Sequence, residues 1–281
     1  MAVLVAIGNW VLPLLYLGLM IDYGATFFLR TRTAARSPWL AAVVVLHAGL
    51  LAVRAIHLGH PPLAGLPEIL SAVAWAMAAV YAVVELASRD RRSGLFVLLL
   101  VFLLQYTSSL LAPWWLPAPS MAAAAEGVWP RLHLVPALVA YTAFAFAAIY
   151  GLMYLVARRD LKERRFGVCF ERLPPLDLLG RMTWQALVIG FVFVTATILT
   201  GPLMFAPPSG GAAGGASGTL AAMGQPKILM KIVTGGVAWL IYAAAVVGRL
   251  AARWSPVRIA AVAVAGYAVV MAMLLASAFW S

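Results

Sequence analysis

Histidines and a few scattered basic residues are the side chains here whose types and spacing could do chemistry. His47, His57 and His60 fall within one short segment, with Arg54 among them, and His133 follows Arg131 by two positions. On a helix, seven residues make about two turns, so His47 and Arg54 share a face roughly 10 Å apart along the axis. Lys227 and Lys231 are spaced i,i+4 and also share a face. An imidazole nitrogen can ligate iron axially, and arginine or lysine can pair with carboxylates. Gathered in one place, these groups suit a flat, iron-containing dianion. Whether they gather depends on the elements that carry them.

Those elements are set by composition. Of the 281 residues, 64% are hydrophobic and only 10% charged, whereas soluble domains run at about 45–50% and about 25%. So little charge cannot cover a soluble fold of this length. Eight mostly apolar stretches, at 3–29, 38–56, 68–87, 94–112, 133–157, 183–204, 228–248 and 256–280, each approach the roughly 20 residues that cross a bilayer as a helix. A barrel would need strands of about 10 residues with alternating polarity. The sequence therefore predicts an all-α, polytopic membrane helix bundle of about eight transmembrane helices, forming one integral membrane domain over residues 1–281.

The net charge of +11 and pI near 10.4 would suggest nucleic acid in a soluble chain. Sorted by position, the charge means something else. Arg30, Arg32 and Arg36; Arg89, Arg91 and Arg92; Arg158, Arg159, Lys162, Arg164, Arg165, Arg172 and Arg181; and Arg249, Arg253 and Arg258 account for 16 of the 20 basic residues, all in alternate loops. The positive-inside rule makes that side cytoplasmic, with both termini extracytoplasmic and no nucleic-acid partner. The first helix has no basic n-region and reads as a retained span. Cys169 is the single cysteine, so no internal disulfide forms, and there is no CxxCH.

This topology places Arg54, Arg131, Lys227 and Lys231, together with His57, His60 and His133, at or near the outer ends of their helices; His47 lies near the middle of the second. Ionisable groups at membrane depth rarely face lipid and mark functional sites by default. The same residues admit plainer roles: the basic side chains can snorkel to headgroups, His57 can be solvated, and His47 can hydrogen-bond a neighbouring helix. Phosphate loops, HExxH, nucleophile elbows and paired intramembrane carboxylates are absent from the sequence.

Several segments, in order, resemble the cytochrome c assembly proteins, the haem-handling membrane family that includes CcsA-type and HemX-like members. They are HLGHPPLAGLPEILS (57–71), RLHLVPALVAYTAFAFAAIYGLMYL (131–155), LPPLDLLGRMTWQALVIGFVFVTATILTG (173–201) and PKILMKIVTGGVAWLIYAAAVVGR (226–249). The resemblance covers about 40–280. It implies a bundle of the bacterial cytoplasmic membrane that binds or presents haem at the extracytoplasmic face for c-type cytochrome biogenesis, with other assembly proteins or apocytochrome c as partners. His133 matches the family's outer haem-ligand histidine and His60 the histidine of its Gly-His-x-Pro element, which makes these two the candidate axial ligands. His47 and His57 are further candidates, and Arg54, Arg131 and Lys227 are candidates for the propionates. The family's Trp-rich loop ending in Trp-Asp is replaced by PPSGGAAGGASGTLAAMGQP, and its second outer histidine is missing. This pattern is that of the shorter, HemX-like branch.

No catalytic constellation is visible, so enzymatic activity is left open. Two other functions remain: a non-enzymatic scaffold or regulatory subunit that uses the basic loop 158–182, and a transporter of haem or a similar anion.

Overall fold

A computed structural model describes residues 2–29, 38–60, 63, 65–88, 91–114, 128–164, 167–205 and 226–279; at some helix ends, including Arg131, Cys169 and Lys227, it describes the backbone alone. The described residues are largely helical, with no strand among them. In lipid every backbone polar group must be satisfied within the segment, and a helix does this with no partner strand. Eight helices are long and apolar enough to cross a membrane: α1 (Ala2–Leu29), α2 (Pro38–Leu58), α3 (Leu66–Ser88), α4 (Gly94–Leu111), α5 (Val128–Lys162), α7 (Leu176–Thr200), α8 (Pro226–Leu250) and α9 (Pro256–Phe279). A five-residue helix, α6 (Val168–Arg172), interrupts the segment between α5 and α7.

Local chemistry sets several ends. Pro38, Pro226 and Pro256 stand first in their helices, where the missing N–H costs nothing. After α2, Gly59 takes φ +72° and returns its N–H to the Ala55 carbonyl at 3.0 Å, a left-handed stop that glycine adopts without strain. At the start of α3 the Glu68 carboxylate accepts from the Gly65 backbone N–H at 3.4 Å, the acidic half of a capping box.

Two spans differ from the sequence boundaries by more than two residues. Apolarity predicts 133–157, but α5 runs on through Lys162, because a helix does not stop where the bilayer does: an Arg159–Glu163 pair at 2.9 Å supports its polar last turns. The span predicted at 183–204 begins at Leu176 instead, directly after Pro174-Pro175, with Asp177 favourably placed in its first turn.

The chain forms two compact units. The first comprises residues 1–125 and 156–179; the second comprises 126–155 and 180–281. In the first, α3 packs along α4, α4 along α1, and α2 against both α1 and α3. Tyr16, Tyr23, Met77, Tyr81 and Leu98 fill its core. Near the C-terminal ends of α1 and α3, Arg91 bridges Asp22 (3.1 Å) and Glu85 (3.7 Å) and lies 4.0 Å over the Tyr23 ring, whose hydroxyl donates to Glu85. Burial disfavours the Arg91 charge, but Tyr23, Asp22 and Glu85 outweigh it and hold the guanidinium above its ordinary pKa. Arg172 of α6 donates to the Phe27 carbonyl, satisfying an acceptor in the last turn of α1.

In the second unit, Phe144 of α5 stacks on Tyr242 of α8 at 3.6 Å, Trp239 donates to Thr195 at 3.0 Å, and Gly151 lets α5 approach the Ala260 backbone of α9.

Candidate functional site

The sequence candidates fall into two groups, one in each unit. In the first unit, His57 ends α2 exposed to its surroundings, His60 is buried in the turn before α3, and Arg54 is half-buried. His47 is fully buried, 0% exposed, and both of its ring nitrogens are engaged. Nδ1 lies 2.8 Å from the Tyr16 hydroxyl and Nε2 lies 3.0 Å from Ser71 Oγ. From there the contacts continue across four helices: Ser71 Oγ to Gln105 Oε1 (2.9 Å), Gln105 Nε2 to Ser109 Oγ (3.3 Å), and Ser109 Oγ to the Asn9 carbonyl (2.5 Å).

The last acceptor fixes every proton upstream. A carbonyl can only accept, so Ser109 donates to it and must accept from the Gln105 amide nitrogen. Gln105 therefore turns its oxygen to Ser71, Ser71 donates to it, and His47 Nε2 must donate to Ser71. A second proton, on Nδ1, would leave a buried charge with no carboxylate against the ring, so Nδ1 accepts from the Tyr16 hydroxyl. The tautomer is thus assigned from the network: His47 is neutral, protonated on Nε2, with neither nitrogen free to hold a metal in this arrangement. The sequence offered His47 both as a ligand and as a hydrogen-bonding residue, and this geometry is that of the second.

His133 stands differently. It lies half-buried near the start of α5, and its Nδ1 donates to the Thr197 carbonyl of α7 at 2.9 Å. That carbonyl also accepts from the Gly201 N–H at 3.0 Å and the Thr200 hydroxyl at 3.2 Å, where α7 ends. With the proton on Nδ1, the Nε2 lone pair is left without a partner among the described residues. Lys231 of α8 is near enough to act electrostatically on the ring. Gly201 lies beside the imidazole, and a Cβ added there would come no closer than 3.5 Å to Cε1. The start of α5 and the end of α7 therefore meet at this imidazole, with the Lys231 charge of α8 acting on it. The side chains of Arg131 and Lys227, carried by two of the same helices, lie outside the described residues.

The family model for cytochrome C assembly protein matches residues 63–208, just over half of the chain. The chain belongs to the cytochrome c assembly protein family. It is an integral membrane protein of that family, with eight helices able to span. His133, Ser71, Gln105 and Glu68 lie within the matched region, whereas His47, Arg54, His57, His60 and Lys227 lie outside it. The chain is 24% identical over 163 residues to the cytochrome c biogenesis protein CcsA of Nostoc punctiforme, covering 56% of this chain and 46% of that one. It is 32% identical over 69 residues to protein HemX of Brevibacillus brevis, a quarter of each. The chain thus spans less than half the length of either curated relative. No solved structure matches it.

Reading the sequence alone overlooked Tyr16, Ser71, Gln105, Ser109 and Asn9. Helical spacing carried a faint sign of them: Asn9, Tyr16 and Tyr23 recur every seven residues on one face of α1. It also missed the role of Thr197, whose contribution is a backbone carbonyl and leaves no mark in side-chain type.

Proposed function

We propose that this protein holds haem in c-type cytochrome biogenesis, with His133 Nε2 as an axial ligand to the iron. The observation that carries the reading is the His133 Nδ1–H bond to Thr197. Metal-binding histidines characteristically donate their other ring N–H to a carbonyl or carboxylate, which sets the tautomer and the ring orientation. His133 has that arrangement and His47 does not. Haem is the cargo here; the protein's own part is to supply the imidazole, hold it in orientation and exclude competing donors. Lys231, and with it Arg131 and Lys227 from the same helices, provides the positive charge that suits propionates. His60, buried in the first unit, and His57 remain candidates in their own right. The positive-inside pattern supports an extracytoplasmic position for this end of α5, in a bacterial cytoplasmic membrane, with the chain as one integral membrane domain. Apocytochrome c or another assembly protein would be the recipient.

Purified from haem-replete cells, the protein should show a Soret band that collapses in His133→Ala. A colourless wild-type protein would overturn the reading.

A second function has its own observation. Arg158, Arg159, Lys162 and Arg164 are all exposed at the end of α5, a row suited to an acidic cytoplasmic partner and thus to a regulatory subunit. Replacing the four with Gln would lose a co-purifying partner while cytochrome c maturation persists, if regulation is the role; loss of maturation with an unchanged Soret band would argue against it.

A further inference from the structure

Within the first unit, α1 to α4 border a partly open cavity of about 20 Å³ whose polar lining is Asn9, His47, Arg54, Ser71 and Gln105. A cavity of roughly 10–15 Å³ already admits one water-sized group. Its lining carries one formal charge, that of Arg54. His47 is neutral, and no carboxylate lines the space, although the Glu68 carboxylate attracts the Arg54 guanidinium from outside the lining. Arg54 makes no hydrogen bond or close ion pair among the described residues, although its helix reads as membrane-spanning.

The directional chain leaves donors to spare. It consumes His47 Nδ1, one lone pair each on Ser71, Gln105 and Ser109, and the Asn9 carbonyl. Each primary amide carries two N–H groups, and Gln105 spends one on Ser109 while Asn9 spends one on the Ser109 carbonyl at 3.1 Å. One amide hydrogen on each therefore remains, beside a guanidinium with five. Within its lining the cavity therefore offers one positive charge with uncommitted amide donors around it.

We propose that this cavity is an anion site, taking a small, singly charged acceptor group, a carboxylate end or a halide, on the Arg54 guanidinium and the amide N–H groups of Asn9 and Gln105. The site is built from residues of the first unit alone and does not depend on the haem reading. Where the carboxylate comes from is a separate matter: a free small acid and the propionate of a porphyrin present the same chemistry.

The test uses the full chain in detergent, following its unfolding midpoint in sodium acetate, sodium bromide and, at matched ionic strength, sodium pivalate. Acetate and bromide should raise the midpoint saturably, and pivalate, whose carboxylate sits on a quaternary carbon, should not. Arg54→Gln should abolish the rise. Arg258→Gln, at an exposed arginine of α9, should leave the rise unchanged, and because the acetate and bromide readout uses no haem, a failed haem reading would leave this one standing. Iron mesoporphyrin should compete with acetate while its dimethyl ester does not, if propionate is the source; neither competes if a small acid is, and the site stands in both cases. Equal midpoints in all three salts, or a saturable rise that survives in Arg54→Gln, would overturn the proposal.

Discussion

His47 and His133 are the same residue type in apolar helices, yet their partners set them to different tasks. His47 is locked by a donor on one nitrogen and an acceptor on the other, whereas His133 spends only its Nδ1 proton. The lock can be measured. Hydrogen bonds between membrane helices contribute about 0.6 kcal/mol on average and up to about 1.7, so Tyr16→Phe and Ser109→Ala should each destabilise by about that much in a bicelle unfolding assay. Because both bonds belong to one directional chain, the double variant should depart from additivity, as members of a shared network do. Strict additivity would mean that the two ends act independently. Sequence could name both histidines as candidates but could not separate them. The decision rests on Thr197, Ser71 and Tyr16, which are distant along the chain and adjacent to their histidines only after folding.

At the scale of the elements, the ends of the helices do most of the selecting. Arg91, in the connection between α3 and α4, ties the C-terminal ends of α1 and α3 together through Asp22 and Glu85. Removing one member of a buried ionic cluster leaves the others uncompensated, at a cost of about 3–5 kcal/mol. Arg91→Gln should therefore lower the unfolding midpoint far more than Arg159→Gln, at an exposed i,i+4 pair with Glu163 of a kind that adds little to stability. Close packing gives a second expectation. A Cβ at Gly94 would overlap the Tyr23 ring and one at Gly190 the Phe144 ring, so alanine at either should cost about 1–3 kcal/mol through overpacking. Thermal unfolding of the two variants beside Gly235→Ala, where a Cβ meets nothing within 4 Å, checks this directly. The eight spans were legible as runs of apolar residues. Their exact ends were not, because α5 and α7 carry polar turns that hydropathy assigns to loops.

For the molecule as a whole, charge placement is the informative quantity. If the basic loops face the cytoplasm, native Cys169 should resist a membrane-impermeant maleimide in intact cells and react after permeabilisation, while a cysteine placed at His57 should react from outside. The reverse pattern would invert the topology and put His133 on the cytoplasmic side.

Composition and hydropathy alone determined that this is an all-α membrane protein with eight spans, since each helix meets its own backbone hydrogen bonds and needs only its own residues to be recognised. Ordered landmarks also carried the cytochrome c assembly family. Which histidine keeps a free nitrogen, how Arg91 gathers two carboxylates, and that Arg54 borders a donor-rich cavity were decided only by tertiary structure. The physical reason is that hydrogen-bond direction, burial and unpaired charge are properties of groups brought together across helices, and no single helix contains them.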